Sequence, residues 1–400
     1  MENLECIFCQ KIYPLDLFFP FCPECKEPLL ISYPSQKRNF FLRREGLERY
    51  LDFLPLKEIN HNLILGEGNT PLLRLNRIEK KLKLSFVLAK NETTNPTHSF
   101  KDRGSVIAIQ KAVSVGIERI GTVSTGNMAV STAAYGARVG LKTYVLLKAD
   151  IPQTKLLSTA LYDPILVTVQ GDYGRLFRQS YFLGQKLKIY FMNSVDPFRV
   201  EGYKVTGYEI YLQLKRQAPQ YIFVPMSSGG HLIGLMRAFL DLKKAGFIKE
   251  SPTFVGVQPK GCSPIAQAYA QRKSRFERLT KTDTVAQAIS NPDPPGGNVV
   301  LKMIRENNGI ITFVSDKEIL AAQKMLAEQE GLFCQPASAT VLAALLKLSE
   351  KMKFESQDKI VLIITGSGLK AMQALKPIRS KIHRASLSSL EKTVNSLLTC

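Results

Sequence analysis

The stretch ETTNPTHSFKDRGS, Glu92 to Ser105, sets Lys101 between Phe100 and Asp102, immediately before an apolar helical run. The Asn, Pro, Thr and Ser residues around it are turn and N-cap chemistry, so the lysine falls at a helix start. A cation there opposes the helix dipole and makes an odd surface choice. An amine at that place, with an Arg nearby, should have a depressed pKa. Imine formation needs the neutral amine as nucleophile, and this setting supplies it. Standing alone, the motif would read more simply as a solvated loop lysine.

Outward from this stretch the chain alternates β-branched runs with amphipathic segments. Strand candidates begin at Phe86, Arg119, Lys142, Ile165, Tyr221, Thr253 and Lys359, with helical patterns such as SVIAIQKAVSVG and LIGLMRAFLDLKKAG between them. That order argues for an α/β fold with mainly parallel sheets. Ligands in such folds collect at the carboxyl ends of strands, where loops lead into helices.

Three more unusual segments fall at such places. VSTGNMAVSTAA, from Val123, offers amides and hydroxyls of Ser124, Thr125, Asn127 and Met128 as a carboxylate cradle. VPMSSGGHLIGLM, from Val224, has a Gly-rich turn whose amides can approach a phosphate at a helix start. KIVLIITGSGLKAM places Thr365 at the end of a buried strand. Each is weak by itself, since a capped turn explains it. Together they supply an amine, a carboxylate cradle, a phosphate cup and a hydroxyl. Those are the parts of an enzyme that acts on amino acids with pyridoxal phosphate (PLP).

The net charge of +20 is spread along the chain rather than gathered in one arm. The nearest cluster, Lys376, Arg379, Lys381 and Arg384, reads as a solvated helix or tail, and no nucleic-acid partner is inferred. No run of 18 apolar residues exists, so no membrane span is expected. The start, Met-Glu-Asn-Leu-Glu, is acidic and lacks an apolar stretch, which points to a cytoplasmic protein. Cys6-x2-Cys9 and Cys22-x2-Cys25 form two knuckles that suit tetrahedral zinc with all four positions filled, a structural site. Cys262 and Cys334 read as core residues.

Taken with the flanking motifs, the chain resembles the threonine synthases, within the PLP enzymes of fold type II. The matching segments are EGNTPLLRL from Glu67, NPTHSFKDRG, STGNMAVS, NSVDPFRVEGYKV from Asn193, FVPMSSGG, EGLFCQPASA from Glu330 and ITGSGLK. They cover nearly the whole chain in the family's order. The resemblance implies a two-lobed core: a large PLP-binding lobe of residues 63–110 and 206–385 and a small lobe of residues 111–205. Around it stand a zinc-ribbon-like module (1–35), a connector (36–62) and a tail (386–400).

The resemblance also implies roles. Lys101 holds the cofactor as a Schiff base and then moves protons. Phe100 packs on the cofactor ring and Asn127 bonds its O3′. Ser227, Ser228, Gly229, Gly230, His231 and Leu232 form the phosphate cup, and Thr365 meets the pyridine nitrogen. Asn193, Ser194 and Arg199 hold a substrate phosphate, beside the carboxylate cradle read above from Ser124 and Thr125, which is expected to take the substrate carboxylate. The implied reaction makes L-threonine and phosphate from O-phospho-L-homoserine and water, by γ-elimination and β-replacement. The sequence departs from the family at His98 (usually Gly), Asp196 (usually Asn), Gln335 (usually Glu), Ser367 (usually His) and the SSGGH cup. Those changes keep open a β-elimination or β-replacement enzyme acting on serine, threonine or phosphoserine, cysteate-synthase-like or a dehydratase, and a retired paralogue. Fold type II enzymes often dimerise, so a homodimer is expected by analogy.

Overall fold

Every strand candidate read from the sequence is a strand in the structure, a computed structural model that describes residues 2–34, 39–40, 43–149, 156–375 and 383–398. At the N-terminus β1 (Asn3–Glu5), β2 (Ile12–Pro14) and β3 (Leu30–Ser32) make a three-stranded antiparallel sheet in the order β2-β1-β3. The residue after each knuckle, Gln10 and Lys26, takes a left-handed conformation (φ 59° in both) and donates its amide to the carbonyl of Cys6 or Cys22. Each turn thereby closes the same way.

Two further sheets carry the strand-helix alternation. The larger holds β4 (Leu72–Arg74), β5 (Phe86–Asn91), β10 (Tyr221–Pro225), β11 (Thr253–Pro259), β12 (Ile310–Val314) and β13 (Lys359–Ile364). Their order is β12-β11-β10-β13-β5-β4, parallel throughout except where β4 meets β5. The smaller holds β6 (Arg119–Val123), β7 (Lys142–Lys148), β8 (Ile165–Val169) and β9 (Tyr190–Phe191), all parallel, in the order β8-β7-β6-β9. Strands buried on both faces read as continuous apolar runs, and KIVLII of β13 is one. The reading of the sequence did not single out β4, β9 or β12; β4 and β9 are only three and two residues long.

The helix Pro197–Gln213 packs against both Lys101–Ser114 and Gly230–Lys244, and all three are buried over most of their length. Glycine makes the first crossing possible: a Cβ at Gly202 would fall 2.1 Å from the Arg103 carbonyl oxygen. The start of the Lys101 helix is then pinned by charge. Arg103, buried, donates to both oxygens of Glu92 (2.5 and 2.8 Å) and both of Glu209 (2.8 and 2.7 Å). Lys90, fully buried on β5, donates to Glu209 at 2.6 Å and to the Thr70 carbonyl at 2.7 Å. Buried ions need this kind of closed pairing to offset their desolvation.

A second buried network ties the N-terminal sheet to the core. Glu201 accepts from Tyr33 (2.5 Å), Lys204 (2.7 Å) and Arg237 (3.0 Å), and Lys204 also donates to the Phe53 carbonyl. Among the described residues, no helix is long and apolar enough to cross a membrane. Of the basic cluster near the end, Lys376, Arg379 and Lys381 lie outside the described residues.

Candidate active site

The carboxyl ends of strands from both sheets converge on one cavity of about 570 Å³. Phe100 and Lys101, from the loop after β5, form one wall. The loop after β6 brings Val123 to Met128, and the loop after β10 brings Ser227 to Leu232. Thr365, at the end of β13, closes another side with Gln335. The segment Gln287–Pro292 lies across the remaining edge.

Lys101 is the first residue of its helix, and Phe100 before it is held by a bond from its amide to the Thr365 carbonyl (3.0 Å). Its Nζ lies 4.4 Å from the centre of the Phe100 ring and 5.9 Å from that of Tyr203. Burial first, and then the Arg199 guanidinium, press the amine from 10.5 down to about 7. The sequence argument invoked the helix dipole and an arginine; burial is the larger cause. Close to neutral pH this lysine is therefore in large part an uncharged amine.

The cup is built for an anion. Gly229 is left-handed (φ 97°), and Gly230 opens the helix that follows. A Cβ at Gly230 would sit 2.3 Å from the Ser194 carbonyl oxygen, so only glycine lets the backbone approach here. First-turn amides of that helix have no partners within it. His231 stacks on Phe100, with ring centres 3.9 Å apart and 13° between planes. Neither of its ring nitrogens has a hydrogen-bond partner among the described residues, although the side chain is buried. Burial, together with Lys101 and Arg103, holds the imidazole well below its ordinary pKa, so it is neutral. An orphaned neutral imidazole, free amides and a neutral amine fit pyridoxal phosphate, which brings phosphate oxygens and an aldehyde.

Opposite the cup, Thr365 Oγ1 lies 2.8 Å from Ser338 Oγ. Asn127 donates to Gln335 Oε1 at 3.3 Å, which orients the amide pair on that side. In the cradle, the Gly126 amide donates to Ser124 Oγ at 3.3 Å, and Tyr173 OH donates to the Val123 carbonyl at 3.0 Å.

The residues matched to a substrate phosphate divide. Ser194 lines the cavity; Asn193 and Arg199 do not. Asn193 is buried behind the strand end, accepting the Val123 amide at 2.8 Å and donating to Ser180 Oγ at 3.0 Å. Arg199 is fully buried and donates to Ser105 Oγ (2.9 Å) and to the Lys101 carbonyl (3.0 Å). Asp196 caps the helix that carries Arg199, accepting its amide at 3.0 Å and Tyr190 OH at 2.7 Å; burial pushes its carboxyl up to about 6.

Several wall residues were missed by the sequence reading: Lys148, Gly171, Asp172, Tyr173 and the 287–292 segment. Lys148 ends β7, and residues 171–173 follow β8, so the strand-end rule applied to every strand would have found them. Segment 287–292 belongs to a long connection without a motif. Lys148 is exposed, and among the described residues it is the wall's lysine besides Lys101.

The departures are also placed. His98 adopts φ 58°, the left-handed conformation that suits the glycine usual there, with its ring turned outward. Ser367 donates its amide to the His98 carbonyl at 3.0 Å. Cys262 and Cys334 are fully buried, and burial pushes the Cys334 thiol up to about 12, so neither is a ready nucleophile.

Comparison with known proteins bears on this geometry directly. A family model described as pyridoxal-phosphate dependent enzyme matches residues 63–366. The threonine synthase of Methanocaldococcus jannaschii is 36% identical, over 92% of this chain and 92% of its own. The chain belongs to the pyridoxal-phosphate dependent enzymes, among the threonine synthases. The threonine synthase of Methanosarcina acetivorans is 32% identical over 94% of both chains, and that of a Bacillus species 33% identical over 81% of this chain and 89% of its own. Among solved structures, maize serine racemase superposes with a TM-score of 0.64 at 19% identity, covering 83% of this chain and 93% of that one. Diaminopropionate ammonia lyase from Escherichia coli gives 0.66 at 15% identity, covering 79% and 88%. These two show the shared fold, PLP fold type II.

The four N-terminal cysteines form a separate cluster. Their Sγ atoms lie within 4.8 Å of one another, and none is in a disulfide. That is a compact set of four thiol ligands from two knuckles.

Proposed function

We propose that this chain converts O-phospho-L-homoserine and water into L-threonine and phosphate with pyridoxal phosphate bound at Lys101. The observation that carries the reading is the Lys101 amine, depressed to about 7 in a cavity walled by the ends of strands from both parallel sheets. The near full-length likeness to threonine synthases supports the substrate.

Bound pyridoxal phosphate supplies the electron sink that lets bonds next to the substrate amine break. The chain's residues do the rest. Lys101 would hold the cofactor aldehyde through its neutral amine, and that amine would take the α-proton and move protons between neighbouring carbons. Ser227 to Leu232 hold the cofactor phosphate, with the amides of Gly229 and Gly230 and the ring of His231 as donors. Phe100 would pack on the cofactor ring, Asn127 would bond its O3′, and Thr365 would meet its nitrogen. Ser124 and Thr125 take the substrate carboxylate at the start of the Asn127 helix. Ser194 faces the substrate phosphate. Asn193 and Arg199 act from behind the wall, by holding the Val123 amide and the Lys101 carbonyl.

The two sheets define the working parts. Residues 63–110 with 206–385 serve as the cofactor lobe, and residues 111–205 as a smaller lobe that brings the carboxylate cradle. Zinc at Cys6, Cys9, Cys22 and Cys25 is structural, in a module of residues 1–35 joined through 36–62. The unpaired cysteines suit a reducing cytoplasm, where the family likeness implies a homodimer.

Holoenzyme given O-phospho-L-homoserine should release phosphate and L-threonine in equal amounts. Release of keto acid from serine or threonine, with no phosphate from O-phospho-L-homoserine, would assign the site to a dehydratase instead.

A further inference from the structure

Ser338 does not line the cavity and is fully buried on the helix Pro336–Ser349, yet its hydroxyl sits at a branch point behind Thr365. The Gly366 amide donates to Ser338 Oγ at 2.9 Å. Ser338 Oγ lies 2.8 Å from Thr365 Oγ1 and 3.2 Å from the Gly366 carbonyl oxygen. A serine has one proton to give, so it favours one of those two acceptors. The Gly366 carbonyl already accepts the Gln335 amide at 3.0 Å, and it is the longer of the two contacts. The contact to Thr365 Oγ1 is the shorter and suits either hydroxyl as donor; donation by Ser338 leaves the Thr365 proton free to point into the cavity.

We infer that Ser338 donates to Thr365 and thereby fixes the Thr365 hydroxyl as a hydrogen-bond donor toward the cavity. This rests on the reading that Thr365 meets the cofactor's ring nitrogen. A donor can meet only an unprotonated nitrogen, whereas the opposite order of donation would offer a lone pair and favour the protonated ring. Among the described residues, Asp172 is the carboxylate of the wall, and it is paired with Arg278. Ser338 is thus a positioning residue that keeps the ring neutral by acting through Thr365. The arrangement restrains the ring as an electron sink and favours elimination over reactions that need a fully protonated one.

The test uses holoenzyme rebuilt with cofactor labelled with ¹⁵N at the ring nitrogen, in wild type, Ser338→Ala, Ser338→Cys, Thr365→Ala and the Ser338→Ala/Thr365→Ala double variant. The ¹⁵N resonance is followed against pH, with cofactor Kd measured alongside. Wild type is expected to show an unprotonated nitrogen at neutral pH. Ser338→Ala should move the nitrogen's titration upward and raise Kd about five-fold, the size of one neutral hydrogen bond. Ser338→Cys, a weak donor of similar volume, should fall between, which separates the effect from misfolding. In the Thr365→Ala background, Ser338→Ala should add nothing to either readout. Independent, multiplying effects of the two substitutions would overturn the inference, as would a protonated nitrogen in wild type. If Thr365→Ala alone leaves the titration unmoved, the fault lies in the reading of Thr365, and the inference falls with it.

Discussion

The ionisation of Lys101 can be measured before any substrate is added. At pH 7 a lysine of pKa 10.5 is neutral in about one molecule in 3,000, whereas one of pKa 7 is neutral in about half, a gain of roughly a thousand-fold. Burial accounts for most of the depression and Arg199 for the rest. The rate at which apo-protein captures pyridoxal phosphate tracks the neutral fraction, because only that form attacks the aldehyde. Rapid mixing from pH 5.5 to 9.5, followed by imine absorbance, should give a rate that rises through one ionisation near 7 and then levels. At pH 6 it should lie about ten-fold below the plateau. Arg199→Met removes the neighbouring cation while keeping bulk, so the midpoint should move up and capture at pH 7 should slow. A wild-type rate still climbing between pH 8.5 and 9.5 would refute the reasoning, because an ordinary solvated lysine behaves that way.

Other consequences follow from the same geometry. Lys148→Gln should raise KM for O-phospho-L-homoserine about ten-fold, the scale of a lost charged hydrogen bond, and leave cofactor Kd unchanged; equal changes in both would count against a substrate-side role. Glu209→Gln leaves Lys90 and Arg103 short of a buried counter-charge and should cost about 3–5 kcal/mol in urea unfolding, a loss that Gln substitution of the exposed Glu277 should not show. Purified protein should carry one zinc per chain by elemental analysis, and strong chelators should lower Tm and expose the N-terminal module to proteolysis; metal-free protein with an unchanged Tm would sink the structural role.

The strands and the Lys101 helix were legible because their signals are local. β-Branched runs of five to seven residues between turn residues read as strands, and all seven candidates form them. Two Cys-x-x-Cys pairs read as a ligand set, and their four sulfurs do gather. β9 was silent because two residues carry no periodicity, and its place in the sheet comes from pairing with β6.

By itself the sequence determined the α/β layering, the amine at a helix start and the order of the motifs, since each depends on neighbours within a few residues. Only the tertiary structure decided how far each group faces the cavity. Arg199 and Asn193 sit in recognisable motifs, yet buried partners at Ser105, Lys101 and Val123 hold them behind the wall. Lys148 sits in no motif and lines it. Burial, which sets the acidity of Lys101 and keeps the His231 imidazole neutral, depends on strands and helices far apart in the chain, and no local pattern encodes it.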